Sequence, residues 1–516
     1  MDSEKNYMLP SGWVRCHFVD VTLPVQKIDP KCSPDREISY IDISGIDNVR
    51  NKVAKVKRFR LGDAPSRARQ IVQFGDIVFS TVRPYLRNIA SVPKKYDGQI
   101  ASTGFSVLRP APGIDPAFLF YKTISSDFVN TLSVKQYGVS YPAVKSEQVR
   151  AQPLALPPAN EQRRIVAKIE ELFSELDKAI ENLKAAREQL KAYRQSVLKH
   201  AFQGKLTAQW REKNKDKLET IEQLLNLIKK EREARYQHQI EEWKTLVKAW
   251  ETKGKPGRKP ARPRPLRPLL DFTKSEAINK KKASGDWIWL RVGAIFDVIS
   301  GATPKDLNKA KRGDIPFYKV SDMNAPGNET KMNVSAIYLS ESIKNELRLR
   351  VYPTGTVIFP KRGGAILTNK KRILSRPSCF DLNTMGVVNS LPSISNDYLW
   401  HWFQALDLTE IYDGSNVPQI NNKNVEPLLF PICSLEEQKN LSEILSKQMS
   451  VIIENEQKIE DDLIKAEALR QSILKKAFSG QLVEQDPNDE PASALLERIR
   501  AEKAEIGREK NRKDFA

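Results

Sequence analysis

One stretch of this chain occurs twice. Residues 194–206 read RQSVLKHAFQGKL and residues 470–482 read RQSILKKAFSGQL, identical at nine of thirteen positions. The same offset of 276 residues relates Glu161-Gln162 to Glu437-Gln438, Gly138 to Gly414, Pro142 to Pro418, Val149 to Val425, and Trp13-Val14-Arg15 to Trp289-Leu290-Arg291. An offset shared over that distance means two copies of one plan, about 11–250 and 287–516, and a repeat constrains the fold before any local reading does. The ends of the copies match closely while the bodies diverge, with STVRPYLRNIA at 80–90 facing FPKRGGAILTN at 359–369. That pattern predicts a shared scaffold carrying two modules with different jobs.

The scaffold is legible as helix. From Glu161 to Gln203 there is neither Pro nor Gly, and apolar residues fall at Ile165, Ile169, Leu172, Leu176, Ile180, Leu183, Ala186, Leu190, Tyr193, Val197 and Ala201. Steps alternating between three and four residues are the seam of a coiled coil rather than a broad globular face. The second copy keeps the register at Leu441, Leu445, Ile452, Ile459, Leu463, Ala466 and Ile473, with polar interruptions at Gln448 and Glu456 that either fix the pairing register or weaken the seam. Pro157-Pro158 and Pro431 lie before the helices, and Gly204 and Gly480 after them, the order expected of bounded helices. Helices of ~43 residues reach about 65 Å at a rise of ~1.5 Å per residue. A twofold relation between the copies would make them antiparallel, a rigid spacer with a module at each end. Twofold-arranged DNA readers engage half-sites about one helical turn apart, ~34 Å, or a multiple. Beyond each spacer, Leu224-Leu225-x-x-Ile228-x-x-Glu231 resembles Leu495-Leu496-x-x-Ile499-x-x-Glu502, so a second, shorter helix is expected after each. Residues 251–283 are rich in Lys, Arg and Pro and read as a semi-rigid, solvated linker, with contact to DNA phosphates the less favoured alternative.

The modules, 11–155 and 286–430, mix short β-rich runs (Ile38–Ile43, Asp76–Ser80, Gly355–Pro360) with helical stretches near Pro116–Leu132 and Asp397–Leu408. Binding residues are expected on loops. In the first module these are Arg83, Tyr85 and Arg87, two guanidinia and an aromatic after a strand, together with Tyr137, Ser140 and Tyr141. In the second they are Lys361 and Arg362, beside glycines that let backbone approach a phosphate, with Asn416, Gln419, Asn421 and Asn422. Asn and Gln can read adenine and Arg can read guanine through paired hydrogen bonds, although ordinary polar turns share this composition.

Charge supports a polyanionic partner: 84 Lys and Arg against 64 Asp and Glu give a net +20. The basic residues do not form a polar face opposite a Trp/Phe stripe, which disfavours membrane-surface binding. No apolar run approaches the ~20 residues a membrane span needs, and the N-terminus lacks the apolar stretch of a secretory signal. Four scattered cysteines and four scattered histidines have neither disulfide nor metal-site spacing, so a reduced, cytoplasmic chain is expected. There is no phosphate-binding G-x-x-x-x-G-K-[ST] loop, no Asn/Asp-Pro-Pro-aromatic motif of an amino-methyltransferase, and no H-E-x-x-H, all of which disfavour an enzyme.

The ordered parts resemble one known family. A module, the stretch Leu156 to Val166 (Leu-Pro-Pro-x-x-Glu-Gln-x-x-Ile-Val), a long helix ending at Gln195 to Leu206, and then all of it again closely resemble the DNA-specificity subunits of type I restriction–modification systems. The second copy supplies Phe430-Pro431, Glu437-Gln438 and Gln471 to Leu482, and departs from the pattern at Pro431-Ile432-Cys433; the insertion at about 207–283 is a further departure. The resemblance implies an α+β chain in which two mixed α/β target-recognition domains (1–157 and 284–431) alternate with two long antiparallel coiled-coil regions (158–250 and 432–516), joined by the basic linker 251–283. It implies a non-catalytic reader of an asymmetric bipartite site on double-stranded DNA. The helical regions would dock two methyltransferase subunits, through which motor-nuclease restriction subunits join. S-adenosylmethionine and ATP would bind those partners, and no cofactor or metal this chain. Two readings compete: a fused restriction–methylation polypeptide, which the missing motifs disfavour, and a structural coiled-coil scaffold without DNA readout.

Overall fold

The structure, a computed structural model, describes residues 9–134, 142–255, 257–269, 287–307 and 313–514. It forms two compact units, one of residues 1–185 with 458–516 and one of residues 186–457. Both long helices are present, Ala159–Ala201 and Leu435–Phe478, and each contributes one end to each unit.

In the first unit the module opens and closes on a two-stranded antiparallel ribbon, Val14–His17 against Pro153–Leu156, with Val14 opposite Leu156. Between them lie a six-stranded and a four-stranded sheet. The central strand Ile77–Ser80 is buried at all four residues, its apolar Ile77, Val78 and Phe79 covered on both faces and the Ser80 hydroxyl donating to the Val82 carbonyl. The stretch expected as one helix near 116–132 is two, Pro116–Ile124 and Ser126–Val134, broken at Ser125. Phe18, Phe79, Phe118 and Phe128 share one core with Ile165, Ile169 and Phe173 of the first long helix and with Ile473, Leu474 and Ala477 of the second. Leu495, Leu496 and Ile499 of the terminal helix Ala492–Asp514 complete that core. The Arg470 guanidinium lies over Phe173, and Asp489 pairs with Arg164 at 2.7 Å. Numbers rise along the first helix as they fall along the second helix and the segment that follows it.

The second unit repeats the plan. Ile288–Arg291 pairs with Leu429–Ile432, Ile288 opposite Ile432. The ribbon registers correct the alignment expected from sequence: Val14 corresponds to Ile288, so Trp13 matches Trp287 and not Trp289. Five- and three-stranded sheets follow, with Val357–Pro360 again fully buried. Phe359, Tyr398 and Phe430 join Val197, Leu198 and Ala201 of the first long helix, Phe202 just after it, and Leu441, Leu445, Met449 and Ile452 of the second. Arg194 pairs with Glu456 at 3.1 Å, and Arg211, on the short helix Ala208–Lys213 that follows, pairs with Glu437 at 2.9 Å, so numbers again rise on one side as they fall on the other. Glu456 is therefore a register contact rather than a weak point. Tyr193, counted above in the seam, is 54% exposed. Seam positions from Ile180 to Leu190 are only half-buried, as expected where two helices alone cover one another.

The Glu-Gln pair at each helix start has a structural cause. Gln162 accepts from the backbone N–H of Asp115 (2.9 Å) and donates to the Pro157 carbonyl. Gln438 accepts from the Ser395 N–H (2.9 Å) and donates to the carbonyls of Ser393 and Cys433. Asp115 and Ser395 are the N-caps of equivalent helices, Pro116–Ile124 and Asn396–Ala405. One amide thus ties each module to its spacer. The glutamates differ: Glu161 accepts from Trp13 Nε1 at 3.0 Å, whereas Glu437 accepts from Thr207 and Arg211, the latter stacked on Trp287. The helix ends match again. Lys205 N–H bonds the His200 carbonyl and Gln481 N–H the Lys476 carbonyl, around Gly204 and Gly480 at φ of 70° and 72°. These are Schellman ends, which require the left-handed residue that glycine adopts without strain.

The expected later helices are present and each is shorter than the spacer before it: Ile221–Thr252 has 32 residues and Ala492–Asp514 has 23. The linker is not simply solvated. Trp243 Nε1 donates to the Pro260 carbonyl, and Arg267 pairs with Glu426. Residues 270–286 lie outside the described residues.

Replacing Gln438 by Ala strands one buried N–H and two buried carbonyls, each costing about 1–3 kcal/mol if unmatched. Gln438→Ala is expected to lower stability by about 2–4 kcal/mol in urea unfolding followed by tryptophan fluorescence. A change within ~0.5 kcal/mol, typical of surface substitutions, would contradict the stitching role.

Candidate nucleic-acid interface

Each module carries two loops that are clasped together in the same way. In the first, the turn after Ile77–Ser80 meets the chain at 142–144: Val144 N–H bonds the Thr81 carbonyl (2.9 Å), Arg83 N–H bonds the Pro142 carbonyl (2.8 Å), and Val82 bridges Ala143. In the second, Ile420 N–H bonds the Lys361 carbonyl (2.9 Å), Gly363 N–H bonds the Pro418 carbonyl (2.8 Å), and Arg362 bridges Gln419. Pro142 and Pro418 hold the same place in the two copies. Paired backbone groups fix the path of these loops along the main chain.

The first turn is strained. Arg83 (φ 49°) and Arg87 (φ 55°) flank the 3₁₀ turn Pro84–Leu86 in the left-handed region, costing roughly 1–2 kcal/mol each for residues that bear a Cβ. Asn48 donates to the Leu86 carbonyl and Asn51 to that of Ile89, holding the turn from the side. The outcome is an outward aromatic: Tyr85 is 50% exposed, with Val49 (86%) on the bracing loop. Such strain clusters at functional sites, where the surroundings enforce it. Arg87 belongs to the brace instead. Its guanidinium donates to the Ile124 carbonyl (3.1 Å) and the Ser126 hydroxyl (2.9 Å), and so points into its own module.

In the second module Gly363 sits at φ 80°, ψ −172°, a conformation essentially confined to glycine, and a Cβ at Gly363 or Gly364 would touch nothing. Open space over bare backbone suits close approach of a phosphate. Lys361 donates to Ser300 at 3.0 Å, and burial together with the neighbouring Arg362 charge lowers its pKa. Two cations held side by side disfavour one another until an anion arrives. Asp413 organises the facing loop by accepting from the N–H groups of Ser415 and Gln419 and from the Ser415 hydroxyl, which also keep its carboxyl below the usual range. Asn416 is left exposed and Gln419 partly so. Asn421 begins the helical turn Asn422–Val425, where its N–H donates to Asn424, and Asn422 donates to the Val298 carbonyl and to Glu426. The Asn422 side chain is committed to its own module in this arrangement, whereas Asn421 is engaged through its backbone N–H.

The clasp therefore gathers Lys361, Arg362, Asn416 and Gln419 in one module and Arg83 and Tyr85 in the other. Tyr137, Ser140 and Tyr141 lie outside the described residues. Leu367 and Val417, 57% and 56% exposed on the two clasped loops of the second module, escaped the sequence reading, as did Val49. Apolar side chains on a turn are informative only once they are seen to face outward. Among the described residues, no group of three His, Cys, Asp or Glu could hold a metal, and no helix is long and apolar enough to cross a membrane.

A family model for the type I restriction modification DNA specificity domain matches residues 46–189 and 285–464, more than half of the chain. The chain belongs to this specificity family. The two matched stretches fall on the two copies of the repeat. Among relatives, the type I restriction enzyme EcoDI specificity subunit of Escherichia coli is 30% identical over 177 residues, covering 34% of this chain and 39% of that one. The chain thus spans about two fifths of the length of that curated relative. Two solved chains are similar over nearly all of their length. One, from work on complex assembly and conformational transition of the type I R-M system, has a TM-score of 0.68 at 25% identity, covering 92% of this chain and 100% of its own. The other, the HsdS subunit from Thermoanaerobacter tengcongensis, has a TM-score of 0.52 at 25% identity, covering 93% and 100%.

The two arginines of this specificity-family chain separate by measurement. Arg362→Ala is expected to cost about 1–3 kcal/mol of duplex-DNA affinity with unfolding unchanged. Arg87→Ala should instead lower the urea midpoint, because it removes two hydrogen bonds that hold the turn to the Ile124 carbonyl and the Ser126 hydroxyl. Equal effects on binding and unfolding from both would remove the distinction.

Proposed function

We propose that this chain is the sequence-reading subunit of a type I restriction–modification complex, recognising an asymmetric bipartite site on double-stranded DNA. The observation that carries the reading is the clasped loop pair built twice, on the same hydrogen bonds but with unlike side chains. One backbone frame, differently furnished, suits two different half-sequences. Arg362 and Gln419 have the chemistry to read guanine and adenine edges, while Lys361 and the bare Gly363-Gly364 backbone suit phosphate.

In this reading the long helices set the unread gap and dock two methyltransferase subunits, through which motor-nuclease subunits join. The chain performs no catalysis. Adenine methylation would use S-adenosylmethionine on the methyltransferase and translocation ATP on the motor, all in the cytoplasm.

The direct test maps methylated adenines across a genome in cells expressing this chain with its cognate methyltransferase, against methyltransferase alone. A split motif with two unlike halves, present only with this chain, is the expected result. No new motif, despite a stable complex and an active methyltransferase, would favour a scaffold without DNA readout. Removing one heptad from each long helix, about 10 Å, should shorten the unread gap by about 3 base pairs at 3.4 Å each and leave both half-sequences intact. An unchanged gap would defeat the spacer role.

A further inference from the structure

The insertion between the copies holds its basic segment in place. The helix Ile221–Thr252 ends in a third Schellman turn, with Lys255 N–H on the Trp250 carbonyl and Gly254 at φ 76°. The chain then continues as a proline-rich strap anchored to that helix and to the second module. Trp243 Nε1 donates to the Pro260 carbonyl (3.0 Å), and the Arg262 guanidinium lies over the Trp243 ring at 5.7 Å. The buried Arg232 donates to the Arg267 carbonyl (2.6 Å), and Leu269 packs on the core. Arg267 itself pairs with Glu426 at 2.7 Å.

Glu426 connects the strap to the clasp. Its other oxygen accepts from Asn422 at 3.1 Å, and Asn422 lies three residues beyond Gln419, the clasp partner of Arg362. Gly293 makes room for this junction, since a Cβ there would meet Glu426 at 2.7 Å and Arg267 at 2.9 Å. The strap thus ends at the base of the candidate reading loop.

What the strap displays is charge of one sign. Residues 253–269 contain Lys253, Lys255, Arg258, Lys259, Arg262, Arg264 and Arg267 and no acidic residue. Arg258, Lys259, Arg262 and Arg264 are exposed, and Arg258, Lys259 and Arg264 form no ion pair among the described residues. Fixing like charges in a row raises their repulsion, a cost that a free linker avoids and a polyanion recovers. Arg258 to Arg264 can span up to about 20 Å when extended, enough to follow several phosphates of one strand.

We propose that this strap is a second DNA-binding surface, independent of sequence, which grips backbone phosphates flanking the half-site read by the second module. It rests on the DNA-reading function proposed above and adds a separate surface to it. The strap's prolines and its tryptophan anchor limit its freedom before binding, so little ordering remains when the phosphates arrive.

The test measures affinity against salt for the full chain assembled with its methyltransferase subunits. It compares wild type with the triple variant R258Q/K259Q/R264Q, which leaves Trp243, Arg262 and the Arg267–Glu426 pair in place. On a duplex with long flanks, the variant's log–log salt slope should be shallower by about 0.9 for each phosphate it no longer neutralises, up to about 3 in all. On a duplex trimmed to the site the two proteins should agree, and the methylated motif should not change. Equal slopes on the long duplex, with motif-specific binding retained, would overturn the strap proposal alone. Equal slopes with weaker methyltransferase assembly in the variant would overturn it in favour of a protein-binding role. Wild type without motif preference would overturn the reading function, and this proposal with it. W243A tests the anchoring: it should keep the wild-type salt slope while binding several-fold more weakly, and unaltered affinity would show that the strap needs no anchor.

Discussion

The side-chain amide of Gln438 is wholly buried and bonds three backbone groups, and Gln162 does the like from the other long helix. Each amide holds the N-cap of a module helix against the start of a spacer helix. Alternatives are costly because these groups have no water to turn to. A helix slipped by one residue would leave the Ser395 N–H and two carbonyls unmatched. The orientation of each module on its helix is thus fixed by a few directional bonds inside a core that is otherwise non-directional. The neighbouring glutamates show how much freedom the plan leaves. Glu161 is served by a tryptophan N–H and Glu437 by an arginine and a threonine, yet the amides keep their bonds in both copies.

The loops obey a different rule. Their backbone is as well preserved between the copies as the amide stitch, with three hydrogen-bonded or bridged positions in register, but the side chains do not correspond. Arg83 stands where Gly363 stands, at positive φ in each case, one accepting strain and the other avoiding it. Separating frame from content in this way lets a binding surface change while the chain path stays put.

The long helices, their ends and the antiparallel seam were legible because they rest on periodicity and on Pro and Gly at boundaries, which are local signals. The equivalence of Pro142 and Pro418 was legible too, since the offset survives wherever backbone demands persist. What escaped were matters of direction. Arg87 reads as a binding residue from composition, yet its neighbours Ile124 and Ser126 turn it inward. Asn422 is likewise spent on Val298 and Glu426. Trp13 was matched to Trp289 because an offset cannot register a two-residue shift, which only strand pairing reveals. Tyr193 fitted the seam spacing but faces solvent, because two helices cover only part of each other's circumference. The strap's basic charge, and phosphate contact as an alternative to a plain linker, were legible, but its anchoring was not, because only the fold brings Trp243 and Glu426 to it.

The division of the long helices between the two compact units bears on the order in which the protein can be made. Residues 186–457 are one uninterrupted stretch and can complete their core soon after leaving the ribosome. The other unit cannot, because its core also needs Ile473, Leu474, Leu495 and Ile499. At ~5–20 residues per second those arrive tens of seconds after Ala185. The segment synthesised earlier is therefore the later to close. Until then it waits with an apolar surface that only a distant part of its own chain can cover.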